Sequence, residues 1–179
     1  TGRTVEAALA PVLAAVGLTE VTPPEAAVEP IRVLVVCTAN ICRSPYLQLA
    51  LQAAAGDAVA VTSAGTHGFV DKEMDAEMAA QATARGLDPA GFRSRPLTRE
   101  LVAGADLVLT AEGQFARGVA ALPDGTSPRE AVARLAASRP SAEGADVADP
   151  YRRGPEAAEA CADHIDRLVA EVTPALARS

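Results

Sequence analysis

Residues 31–45 read Ile31-Arg32-Val33-Leu34-Val35-Val36-Cys37-Thr38-Ala39-Asn40-Ile41-Cys42-Arg43-Ser44-Pro45, and this stretch decides the fold. Residues 31–36 are largely apolar and β-branched, which predicts a strand buried on both faces of a parallel sheet. Residues 46–55 carry Leu47, Leu49, Leu51 and several alanines and predict a helix. Between them runs a short loop with Cys37 at its head and Arg43 at its foot. A strand, a tight loop and a helix N-terminus in that order suit an oxyanion. Loop N–H groups converge on one point, the helix dipole favours negative charge, and an arginine grips two oxygens at once. A cysteine at the head of such a loop sits in positive potential, and the thiolate is the nucleophile.

The spacing follows from the chemistry of a tetrahedral phosphate, which has three oxygens to hold while phosphorus is attacked in line. A short loop wraps those oxygens with successive backbone N–H groups. Proline inside it would delete a donor, and residues 37–43 contain none. Pro45 falls in the first turn of the helix, where a missing N–H costs little. The expected phosphate-binding set is Thr38, Ala39, Asn40, Ile41, Cys42, Arg43 and Ser44, with the Ser44 hydroxyl donating to the sulfur. Cysteine-to-arginine spacing alone arises often by chance; the whole string after a buried strand is specific.

The string resembles the loop of the low-molecular-weight protein tyrosine phosphatases, which typically reads Val-Cys-x-Gly-Asn-Ile-Cys-Arg-Ser-Pro. Two further stretches match in order and approximate separation: Ser63-Ala64-Gly65-Thr66 after the second strand, and Asp149-Pro150-Tyr151, where the family carries its general acid. The resemblance covers roughly residues 31–172. It implies a three-layer α/β sandwich with a parallel sheet of about four strands and helices on both faces. It also implies hydrolysis of phosphotyrosine or other aryl phosphate monoesters through a cysteinyl-phosphate. Cys37, Arg43 and Asp149 would be catalytic, with Asp149 as general acid and then base, and Phe69 and Tyr151 would line the substrate cleft. No cofactor and no metal is called for, because loop and arginine supply the positive charge.

The chain departs from the family pattern at several points. Ala39 stands where glycine is usual, Phe92 replaces a histidine that helps hold the loop asparagine, and Glu112 aligns with an aspartate. Arg152 and Arg153 follow Tyr151 where an aromatic or glycine is common. How the loop asparagine is braced without that histidine is left open by the sequence.

Each site residue has a plainer reading. Cys37 is then a small buried apolar side chain, Arg43 a surface cation, Asn40 a turn residue tolerant of left-handed backbone, and Asp149 a turn residue ahead of Pro150. The motifs taken together favour the catalytic readings, and for Asn40 both hold at once. Cys42 reads equally as filler or as a resolving thiol for Cys37. Rival functions of the same loop are arsenate reduction, which calls for more cysteines than the remote Cys161, and arginine phosphatase activity. The arginine phosphatases typically carry threonine where this chain has Ile41. Outside catalysis, Cys37, Cys42, Cys161 and His164 offer a zinc set, though Arg43 beside it would be repelled by the metal. A dead phosphotyrosine-binding module is the other non-enzymatic reading, opposed by retention of Cys37, Arg43 and Asp149 together.

Composition bounds these readings. The chain has 179 residues and a net charge of −7, enough for one core and unsuited to a general nucleic-acid surface. Three cysteines and no secretory pattern point to the cytoplasm. Abundant alanine and few aromatics suit a bacterial gene. Residues 5–18 are apolar but broken by Glu6 and Pro11, too short to span a membrane. Residues 4–16 carry a helical stripe of Val5, Leu9, Val12, Leu13 and Val16, and a proline-punctuated linker covers 22–30. The expected organisation is an extension over 1–30 and a catalytic domain over 31–179. Further strands are expected at 58–63 and 105–110, with helices at 75–85, 114–121, 128–137 and 155–175; a fourth strand, if present, falls in 122–147. The partner is a phosphotyrosine protein, and the expected state is a monomer or weak homodimer.

Overall fold

The computed structural model describes residues 29–67, 69–111 and 147–176. The expectations for residues 1–28, the helices at 114–121 and 128–137, the fourth strand and Glu112 lie outside them. Three parallel strands form the described sheet in the order β2-β1-β3: β1 (Ile31–Cys37), β2 (Val59–Gly65) and β3 (Leu107–Thr110). The helices are α1 (Arg43–Ala55), α2 (Ala76–Ala84), α3 (Arg99–Ala103) and α4 (Pro155–Leu176), with a 3-10 turn at Gly56–Ala58. The short α3 was not expected from the sequence; at five residues it carries no legible period, and Thr98 caps it through Leu101 N–H.

β1 is apolar because both of its faces are covered. Val33 and Val35 point to one side, Leu34 and Val36 to the other, and none is more than 1% exposed. The first side meets Tyr46 and Leu51 of α1, Met78 of α2, and Ala158 and Ile165 of α4. The second meets Ala64, Val102 of α3 and Val108. Helices thus lie on both faces, as an α/β sandwich requires. The alanines of α1 and α4 let the two helices pack along each other. Asp166 of α4 ties the layer together, accepting from Tyr46 Oη at 2.9 Å and from Arg85 Nε at 3.1 Å.

Local signals set the element ends. Gly56 and Gly86 take left-handed backbone (φ 55° and 77°) just past α1 and α2. Asp75 starts α2, its carboxylate accepting from the N–H groups of Glu77 and Met78. At the opposite edge of the sheet Arg32 holds Asp106 through its backbone N–H and its guanidinium. Those hydrogen bonds keep the Asp106 carboxyl down at about 2.

Parallel strands deliver their C-terminal ends to one edge, where ligands bind in open α/β sheets. β1 ends there at Cys37 and β2 at Gly65, paired in register. Gly65 is required by its neighbours: a Cβ on it would lie 2.7 Å from Thr38 O and 2.9 Å from both Ala39 C and Asn40 N. All three are backbone atoms, so none can swing aside. Gly65→Ala is therefore expected to destabilise the fold by about 1–3 kcal/mol and to push the 38–40 backbone outward. Urea unfolding measures the first effect, and an unchanged midpoint would count against this packing.

Candidate active site

The loop of residues 38–42 is bound from outside through its carbonyl oxygens. Thr66 N–H donates to Cys37 O at 3.0 Å, His67 N–H to Thr38 O at 2.8 Å, and Asp75 N–H to Ile41 O at 2.8 Å. In a trans peptide the N–H points opposite to the C=O, and the described chain has no cis bond. The N–H groups of Thr38, Ala39 and Cys42 therefore face away from these donors. α1 begins directly at Arg43 and has no acidic residue in its first turn, so its positive end is not neutralised locally.

Asn40 braces this loop. It is fully buried and takes φ 58°, the left-handed region that asparagine tolerates better than most residues. Ala39 keeps ordinary backbone, so its replacement of glycine costs no left-handed strain. Asn40 Nδ2 donates to Ser44 Oγ at 2.9 Å and to Ser63 Oγ at 2.8 Å, while Oδ1 accepts from Arg95 N–H at 3.0 Å. Ser63 Oγ in turn donates to Gln48 Oε1 at 2.6 Å. Because the Ser44 oxygen accepts from Asn40, its proton is free to point at Cys37 Sγ, 3.0 Å away.

The loop is braced without the family's histidine. Phe92, in place of the histidine, is buried in the core, and the Arg95 backbone N–H supplies the third hold on Asn40. Arg95 also donates from Nε to Ser63 O at 2.9 Å. Ser63, Gly65 and Arg95 were not assigned roles from the sequence. The Ser63-Ala64-Gly65-Thr66 motif marked the first two, whereas Arg95 acts mainly through its backbone and leaves no sequence signal.

Arg43 is 2% exposed. Its guanidinium donates to Val147 O at 3.0 Å and to Thr38 Oγ1 at 3.4 Å, and Asp149 Oδ2 lies 3.6 Å away. The structure thus brings Asp149, from a distant part of the chain, to the loop that carries Cys37 and Arg43. Tyr151 N–H closes a turn on Asp149 Oδ1 at 3.2 Å. Tyr151 and Phe69 are both exposed. The Phe69 segment is joined to the loop through His67, whose carbonyl accepts from Phe69 N–H.

All three cysteines are free and buried in one core cluster. Cys161, remote in sequence, thus joins the same buried layer. Burial pushes the Cys42 thiol well above its ordinary range and that of Cys161 up to about 12. Among the described residues no group of three or more cysteine, histidine or acidic side chains is arranged to hold a metal ion. No described helix is long and apolar enough to cross a membrane.

Comparison with known proteins agrees with this geometry. A sequence model of the family described as low molecular weight phosphotyrosine protein phosphatase matches residues 32–179. The low molecular weight protein-tyrosine-phosphatase Etp of Escherichia coli K12 is 33% identical over 146 residues, spanning 82% of this chain and 95% of that protein. Wzb of Salmonella typhi, of the same description, is 31% identical over 145 residues, spanning 81% and 93%. Among solved structures, Vibrio vulnificus Wzb in complex with benzylphosphonate superposes with a TM-score of 0.70 at 27% identity, covering 81% of this chain and 98% of that one. The YwlE arginine phosphatase of Geobacillus stearothermophilus superposes with a TM-score of 0.72 at 26% identity, covering 82% and 93%. With the loop, its brace and the match over residues 32–179, the chain belongs to the low-molecular-weight phosphotyrosine protein phosphatase family.

Proposed function

We propose that this protein is a protein tyrosine phosphatase that hydrolyses phosphotyrosine and related aryl phosphates through a phosphocysteine on Cys37. The observation that carries this reading is the 3.0 Å contact of Ser44 Oγ with Cys37 Sγ at the head of a loop that ends on the buried Arg43. The Cys37 thiolate attacks phosphorus in line with the phenolic oxygen. Arg43 and the N–H groups of the loop hold the three equatorial oxygens and stabilise the charge that builds on them. Asp149, within 3.6 Å of Arg43, gives its proton to the departing phenolate. It then takes a proton from the water that attacks the phosphocysteine. The Ser44 hydroxyl donates to the sulfur as it leaves.

Thr38, Ala39, Asn40, Ile41, Cys42, Arg43 and Ser44 make up the phosphate loop in this reading, with Phe69 and Tyr151 beside the aryl group. The partner is a phosphotyrosine protein. Three free thiols suit a reducing compartment such as the cytoplasm. The likeness to an arginine phosphatase favours a second reading. Ile41, apolar and largely buried, offers no hydroxyl to a guanidinium and tips the choice to an aryl phosphate. Phosphate release from an aryl phosphate, a phosphotyrosine peptide and a phosphoarginine substrate, measured side by side, decides between them. The first two should turn over and the third should not.

Cys37→Ser is expected to abolish turnover while phosphate-analogue binding persists, since a serine hydroxyl without a nearby base is a far weaker nucleophile. Residual activity beyond a few per cent of wild type would sink this assignment. Asp149→Ala should slow hydrolysis about a hundred-fold or more where the leaving phenolate is poor. The loss should be much smaller for an activated nitrophenolate, which departs without a proton. Equal losses for both would make Asp149 a structural residue.

Mild peroxide is expected to inactivate the enzyme reversibly. Peroxide oxidises the Cys37 thiolate to sulfenic acid, and the Cys42 thiol condenses with it, releasing water and forming a disulfide. Peptide mapping with reductant rescue tests this. A bridge from Cys37 to Cys161, which shares the same buried cluster, would overturn the role of Cys42. Full rescue of Cys42→Ala would do the same.

A further inference from the structure

We propose that Arg152 and Arg153 form a cationic rim that selects phosphotyrosines flanked by acidic residues. The inference rests on the phosphatase reading above. The turn that carries them is built around the site. Tyr151 N–H is bonded to Asp149 Oδ1 at 3.2 Å, and Asp149 faces Arg43. Arg153 N–H closes the turn on Pro150 O at 3.0 Å. Arg152 takes left-handed backbone (φ 57°) and Gly154 follows at φ 89°. For a non-glycine residue that conformation costs about 1–2 kcal/mol, and the Arg152 side chain stays exposed with its guanidinium on the Tyr151 ring. Such an outlier beside a reaction centre points to function.

Among the described residues no carboxylate meets the two arginines. In a chain of net charge −7, Arg32, Arg43, Arg85 and Arg93 each face a carboxylate. Arg152 and Arg153 are exposed and form no ion pair with any described residue. The Arg152 guanidinium lies over the Tyr151 ring, 5.1 Å from its centroid. Stacking uses the face of the guanidinium and leaves its in-plane N–H groups open, in the fork that matches a carboxylate. Tyr151 therefore holds a pre-positioned cation on the turn that carries Asp149. A peptide whose phosphate is gripped by Arg43 lays its neighbouring residues across this turn, where aspartate or glutamate would meet Arg152 and Arg153.

The test compares kcat/KM of the full chain on phosphotyrosine peptides with acidic flanks and with the matching asparagine and glutamine flanks, alongside a small aryl phosphate. The acidic-to-neutral ratio cancels any loss common to both peptides. It should exceed one in the wild type, by about two- to fivefold per engaged arginine, the range of exposed charge pairs. It should fall to near one in the Arg152→Gln/Arg153→Gln double variant, and shrink as salt is raised. A charge reversal, Arg153→Glu, should favour a lysine-flanked peptide instead. Turnover of the aryl phosphate with a wild-type ratio near one overturns this inference alone, as does a ratio that survives in the double variant. Absence of any turnover by the wild type overturns the phosphatase reading and this inference with it.

Discussion

One buried amide holds the loop of the candidate site in place. Asn40 sits at zero exposure with left-handed backbone, and its side chain joins three parts of the chain: Ser44 at the start of α1, Ser63 on β2, and the backbone at Arg95. Each hydrogen bond contributes about 0.5–1.5 kcal/mol net, so three together outweigh the cost of the backbone conformation. The asymmetry of buried polar groups matters more than the sum. Without the amide, Ser44, Ser63 and the Arg95 N–H would each lose a partner in a place that water cannot easily reach. The direction of the network also matters. Donation from Asn40 to Ser44 is what turns the Ser44 proton towards Cys37, so the environment of the sulfur is set two bonds away.

The same network explains why Phe92 is tolerated. A side-chain brace is lost by most substitutions, whereas a backbone N–H is lost only to proline. Arg95 N–H is held where Asn40 needs it by the segment's pairing with β2. Gly65 N–H donates to Arg95 O at 3.0 Å, and Leu97 N–H donates to Gly65 O at 2.7 Å. Phe92 is then released to pack in the core, where an apolar ring stabilises more than an imidazole needing partners. Gly65 serves two purposes here, joining this segment to the sheet and letting the loop backbone lie directly on it.

What could be read from the sequence is what is local. The β1–loop–α1 unit declares itself because strand, loop and helix cap are contiguous and each residue type has a local reason. Cys37 ends β1, Asn40 lies in the loop, and Arg43 and Ser44 open α1. Strand ends moved by a residue or two: β1 extends to Cys37 and β2 to Gly65, because pairing with a neighbour, not propensity, ends a strand. The five-residue α3 was invisible to periodicity. The role of Arg95 was hidden because a backbone group has no side-chain signature. Cys161 lies far along the chain, yet α4 packs on α1 and carries it into the core cluster that holds Cys37 and Cys42.

Asp149 illustrates how a residue far along the chain is nonetheless fixed. Val147 uses both of its backbone groups. Its N–H donates to Ala111 O at 2.9 Å, just past β3, and its C=O accepts from Arg43 at 3.0 Å. Ala111 is itself tied to β1, through its N–H on Val36 O at 3.0 Å. A buried guanidinium is strongly destabilising unless its charge is met by acceptors, and the return of the chain at 147–149 supplies them. Closing the sheet edge and completing the site are therefore one event. Because residues 111 and 147 meet directly, the position of Asp149 is set by the sheet and by Arg43. A change at Val147 or Arg43 therefore reaches the carboxylate at once.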